Sequence, residues 1–183
     1  MWAIVKNKQL IEISNGNKSI TVGDVVHPKD IFKHWTKSQL KDIGVYEFIS
    51  GSTPDNRFET PTTTSYKVDD SKGTVTETIN KKDKDLDNLK KTYTAQTQKQ
   101  ASSLLAPTDW MVVRKAEDSS KSIPSAVTTY RASVRTEADK IVKAIDDCDT
   151  LDKLKALFVT EYNEDGSVKT KATMDTLPDD EDI

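Results

Sequence analysis

Leu104-Leu105-Ala106-Pro107-Thr108-Asp109-Trp110, followed by Ile123-Pro124 and then Tyr130-Arg131 to Arg135, is the stretch that decides the fold of this chain. Thr108 stands between a proline and an aspartate, which predicts a helix N-cap. Its hydroxyl would accept a free backbone N–H, and Asp109 would sit at the positive end of the helix dipole. Trp110, Val113 and Arg114 then fall on neighbouring faces of a short helix. Ile123-Pro124 predicts a break and a second start. Val127, Tyr130, Val134, Ala138, Ile141, Ile145 and Cys148 follow at helical spacing. The expectation is a helical hairpin with Trp110 and Tyr130 packed at its joint and an arginine paired to Asp109 or stacked on the indole. Buried in that way, Trp110 truncated to alanine would cost about 3–5 kcal/mol. The same residue types are enriched at the centres of protein interfaces, so direct partner contact is the competing account of this cluster.

Outward from that stretch, the first 82 residues read as a β-rich domain. Trp2–Val5 and Gln9–Ile13 flank a turn at Asn7-Lys8, and Ile20–Val22 and Val25-Val26 flank Gly23-Asp24. Thr36 can cap a helix from Lys37 to Ile43, closed by Gly44. Val45–Ile49 is a strand. Thr62–Val68 and Thr74–Ile79 alternate around Asp69–Gly73, as a solvent-facing antiparallel hairpin would. Residues 83–103 contain no proline or glycine but carry a weak apolar seam (Leu86, Leu89, Tyr93), which predicts a polar connecting helix or one strand of an oligomeric stalk. Residues 104–160 form the helical domain, with Asp149-Thr150 capping a last short helix. Residues 161–183 read as an irregular tail. The fold class is therefore α+β: a small antiparallel β domain with one short helix, a connecting helix, and a helical hairpin or small bundle.

Composition narrows the function classes. Of 183 residues, 34% are hydrophobic and 31% charged, so the core is thin for the length. Residues 161–183 hold 8 acidic and 2 basic side chains, which puts the whole negative excess in the tail and argues against non-specific nucleic-acid binding. Sparse apolar residues there predict a tail dispensable for folding. No apolar run approaches the 18 or so residues of a membrane span. The single cysteine, Cys148, excludes an internal disulfide and falls on the apolar stripe, as a small hydrophobe would. His27 and His34 have no cysteine or carboxylate partners at metal-ligand spacing. There is no glycine-rich phosphate loop, Gly-x-Ser-x-Gly elbow or His-Glu-x-x-His. The expectation is a non-enzymatic protein with no catalytic residue, cofactor or metal.

The set Leu104-Leu105, Thr108-Asp109-Trp110, Arg114, Pro124, Tyr130-Arg131 and Arg135 resembles the C-terminal region of tail-fibre assembly chaperones and related tail-associated proteins of tailed bacteriophages. The likeness covers about a fifth of the chain. His27-Pro28, Ile31-Phe32, Trp35, Leu40 and Ile43–Tyr46 look more loosely like N-terminal regions of small phage tail proteins. The resemblance implies that Thr108, Asp109, Trp110, Arg114, Tyr130, Arg131 and Arg135 are motif or partner-binding residues. It implies protein binding to a tail-fibre or other virion protein in the host cytoplasm during assembly, with a homo-oligomer possible. The alternative it leaves open is a virion structural component, a tail or capsid-surface subunit docked through its β-rich N-terminal part.

Overall fold

A computed structural model describes residues 1–179 of the chain. It is α+β, with strands leading and long helices following, and it divides into two compact units, Met1–Lys82 and Asp83–Ile183.

In the first unit, β1 (Trp2–Lys6) and β2 (Gln9–Ser14) form a hairpin. Asn7 and Lys8 both take positive φ (51° and 61°), the conformation that matches a two-residue turn to the twist of its strands. Ile4 faces Glu12 and Val5 faces Leu10, so Ile11 is the extra residue of a bulge. β3 (Ile20–Val22) and β4 (Val25–His27) make a second small hairpin. After α1 (Ile31–His34), Thr36 caps α2 (Lys37–Asp42). The Gln39 N–H donates to Thr36 Oγ1 (3.3 Å) and the Thr36 N–H donates to Gln39 Oε1 (2.9 Å), the reciprocal capping box. Gly44 follows at φ +82°, and a Cβ there would lie 2.7 Å from the Val5 carbonyl oxygen, so only glycine fits.

β5 (Val45–Ile49), β6 (Glu59–Asp69) and β7 (Thr74–Asp83) complete a five-stranded sheet of order β2-β1-β5-β7-β6. This corrects the expectation of a purely antiparallel domain. β5 and β7 run parallel, with Glu47, Phe48 and Ile49 opposite Thr74, Val75 and Thr76. The β6 strand and its approach supply the long crossover a parallel pair requires. Alternation along the strands splits the core between two faces. Ala3, Val5, Tyr46, Phe48 and Val75 share one; Ile4 and Val45 share the other with Ile20, Ile31 and Leu40. At one end the outer strands β2 and β6 touch. Leu10 and Val68 join the first cluster there, and Asp70 accepts from the Tyr46 hydroxyl at 2.9 Å.

The second unit holds α3 (Leu86–Glu117), α4 (Ser125–Asp146) and α5 (Leu151–Ala156). Here the expected architecture is corrected at two points. The expected connector 83–103 is not a separate element, since residues 86–103 are the start of α3, and Thr108, inside the same helix, is not an N-cap; the true cap is Asp85, accepting from the Asn88 N–H at 2.9 Å. Nor is the 84–103 stretch outside the core. Leu89, Tyr93, Thr97, Ala101 and Thr108 are buried, a stripe advancing largely in steps of four whose small and hydroxylated members let α3 pack along α4. The α4 stripe from Val127 to Ile145 is buried as its spacing predicts, and Thr150 caps α5. Tyr93 and Phe158 meet with tilted rings, 4.7 Å between their centres.

Residues after Thr160 are more ordered than the irregular tail expected. β8 (Glu161–Tyr162) pairs with β9 (Val168–Thr170), and a 3-10 turn at Thr173–Asp175 follows. Ala172 is 1% exposed and Leu177 joins the Ala101, Tyr130, Val134 and Ala138 cluster. Asp180–Ile183, the last acidic residues of the expected tail, lie outside the described residues.

Candidate protein-interaction surfaces

Proline inside a helix removes one backbone donor and presses its ring on the carbonyl four residues back, so Pro107 should end α3. Arg131, reaching across from α4, helps hold it continuous. Its Nη1 donates to the Leu105 carbonyl oxygen (2.8 Å) and to Thr108 Oγ1 (2.6 Å), while Nη2 donates to Asp109 Oδ1 (2.7 Å). Thr108 Oγ1 in turn donates to the Leu105 carbonyl oxygen (2.9 Å). The arginine is 6% exposed, and its planar fork meets three acceptors from consecutive turns of α3. Thr108, Asp109 and Arg131 are therefore one unit, and its chemistry is the clamping of two helices. Tyr130 sits beside it in the core.

The remaining motif residues point elsewhere. Trp110 is 53% exposed, with the Arg114 guanidinium 4.8 Å from its ring centre. The expected burial of the indole at the hairpin joint is thus corrected: with α3 unbroken, position 110 rotates onto its outer side. The expected arginine–aspartate pair and arginine–indole stack both occur, made by different arginines. Arg135 lies on the exposed side of α4, its Nη1 3.5 Å from the Arg131 carbonyl oxygen. Val113, one turn on from Trp110, is exposed beside it, giving the end of α3 an apolar surface edged by a cation; Val112 is exposed on another side of the helix. Trp110→Ala should now cost no more than about 1 kcal/mol, the scale of one exposed cation–π contact, in a urea unfolding curve of the whole chain.

A second apolar surface lies on the first unit, the β-rich part expected to dock, at residues the sequence did not single out. β2 is an outer strand of the sheet, and Ile11 and Ile13 on it are exposed, as are Val25 and Val26 on β4. The bulge at Ile11 breaks the strict alternation of β2, and from Leu10 to Ile13 only Leu10 is half-buried.

The other candidates are accounted for structurally. His27 meets Trp35 edge to face at 5.7 Å. Cys148 is buried, and burial pushes its thiol above the ordinary range, away from a reactive thiolate. Among the described residues no group of three or more His, Cys, Asp or Glu is placed to hold a metal ion, and no helix is long and apolar enough to cross a membrane. A cleft of about 670 Å³ runs along α3 beside residues 171–179, and its lining mixes the apolar Leu104, Met174, Leu177 and Pro178 with amide, hydroxyl, lysine and aspartate side chains. No protein-family model matches the chain, and no curated protein or solved structure is detectably similar to it.

Proposed function

We propose that this chain is a non-enzymatic bacteriophage tail-associated protein that assists tail-fibre assembly in the host cytoplasm by binding a fibre or other virion protein. The observation that carries the reading is the outer strand β2, with Ile11 and Ile13 uncovered on a sheet edge. Such an edge offers backbone donors and acceptors together with apolar side chains, the combination by which a sheet takes up an extended segment of another chain. An unfinished fibre protein, rich in unpaired strands, is a partner of that kind.

A second reading, a structural component of the virion docked through its β-rich part, is favoured by a different observation. Each unit carries its own apolar surface, Ile11 and Ile13 on one and Trp110 with Val113 on the other, as a subunit held between two neighbours would need.

Co-expression of the whole chain with the phage fibre protein tests both. Ile11→Lys with Ile13→Lys should reduce co-purification of the fibre protein at least tenfold, while Trp110→Ala leaves it unchanged. The reverse pattern would move the contact to the second unit. Absence from purified particles fits the assembly role, and retention at an integer copy number makes the protein a virion subunit.

A further inference from the structure

The groove between α3 and α4 is occupied by the chain's own C-terminal segment. Past the β8–β9 hairpin the chain turns back over the helices. The Ala172 N–H donates to Thr160 Oγ1 (3.1 Å) and the Met174 N–H donates to the Leu157 carbonyl oxygen (3.1 Å). Beyond that point the character of the attachment changes. Residues 175–179 meet the helices through apolar side chains. What holds them is Leu177, seated on Ala101, Tyr130, Val134 and Ala138, with Pro178 beside the first turns of α4. The small side chains of Ala101 and Ala138 leave room between the helices for one leucine. Leu177, in a segment with no regular structure of its own, takes that room. The segment does not fill the space, since the 670 Å³ cleft lies open along its flank.

We propose that this groove is a docking site for a short, non-helical, acidic segment of a partner protein bearing one anchoring leucine, and that residues 172–179 hold it in cis until such a segment displaces them. The chemistry of the occupant is read from the one seated there. Leu177 packs on the helices, and Met174, Asp175 and Asp179 line the cleft beside it. Charge favours an acidic occupant as well. Lys99 on α3 and Lys171 border the open cleft, and among the described residues neither is in an ion pair. Gln96 and Gln100 beside Lys99 supply amide groups to an extended backbone. A tethered occupant acts as a competitor at high effective concentration. The apparent affinity for any outside segment falls by the fraction of molecules in which the groove is open. The inference rests on the fibre-binding reading only for the identity of the partner.

The test uses the whole chain and a fluorescein-labelled peptide of its own residues 170–183, followed by anisotropy. Wild-type protein should bind it weakly. Leu177→Ala and Leu177→Asp, which loosen the cis occupant, should bind at least tenfold more tightly. Adding Leu104→Asp on the α3 wall should abolish that gain. Circular dichroism establishes that each variant keeps its helices, and Leu177→Ala serves if the aspartate variant unfolds. Equal affinity in wild type and Leu177→Ala, or no binding by a folded Leu177→Ala, overturns the proposal. Peptide binding without fibre binding would leave the groove standing and remove the fibre reading. Fibre binding with no gain in peptide affinity would do the opposite.

Discussion

Arg131→Met should destabilise the protein by about 2–4 kcal/mol, one of the two largest effects expected here. The substitution keeps most of the apolar stem but removes three charge-assisted hydrogen bonds, and their partners lose unequally. Asp109 is a largely exposed carboxylate that water can solvate, so its share is small and salt-screened; Asp109→Asn should cost under about 1 kcal/mol. Thr108 Oγ1 is the costly loss, because a buried acceptor left short of a donor forfeits its hydration without return, whereas the half-buried Leu105 carbonyl keeps the Thr108 hydroxyl as a donor. Urea unfolding of the three variants Arg131→Met, Asp109→Asn and Thr108→Val separates these shares. A cost for Arg131→Met no greater than that for Asp109→Asn would show that the guanidinium is an ordinary surface pair and does not hold α3 together.

That clamp also explains why the central stretch misled. Proline followed by threonine and aspartate has the local chemistry of a helix start, and nothing within the seven residues says otherwise. The deciding group, Arg131, is more than twenty residues away and acts only after α4 has docked. Where the determinants were local, the sequence was legible. Thr36 and Gln39 form their capping box within one turn, Asn7-Lys8 makes its two-residue hairpin, and Thr150 caps α5. The buried seam of α3 was hidden because Leu89, Tyr93, Thr97 and Ala101 mix large, polar and small side chains; packing against α4 selects them by size as much as by polarity. The β5–β7 pair was hidden for another reason. A parallel pairing joins segments distant in sequence, and no turn chemistry records it.

The candidate surfaces follow the same rule. Trp110 and Arg114 fall on neighbouring faces of the expected helix, but which arginine meets the indole, and on which side of the helix, depended on whether Pro107 ended it. Ile11 and Ile13 look like ordinary strand residues; only the bulge, and the place of β2 at the end of the sheet order, leave them uncovered. Leu177 was read as one sparse apolar residue among acids. Its role depends on two alanines, Ala101 and Ala138, lying opposite one another on different helices.

That last contact reverses the expectation that the tail is dispensable. Deleting residues 172–183 should lower the stability of the helical unit by about 2–4 kcal/mol, the scale of burying one leucine together with the small groups that accompany it. For a unit of about 100 residues this is a fall in melting temperature of roughly 10–20 °C. The loss has three parts. Ala172 is 1% exposed and leaves a void, the Leu157 carbonyl oxygen loses the Met174 N–H, and the Ala101–Tyr130–Val134–Ala138 cluster loses its cover. Leu177→Ala alone should give a smaller fall, because the Ala172 and Met174 anchors remain. Thermal unfolding followed by circular dichroism at the helix band distinguishes the cases. A truncated chain that melts with the wild type would mean that these residues rest on the helices without stabilising them. A truncation no worse than Leu177→Ala would place the whole contribution in the one side chain that the groove between α3 and α4 admits.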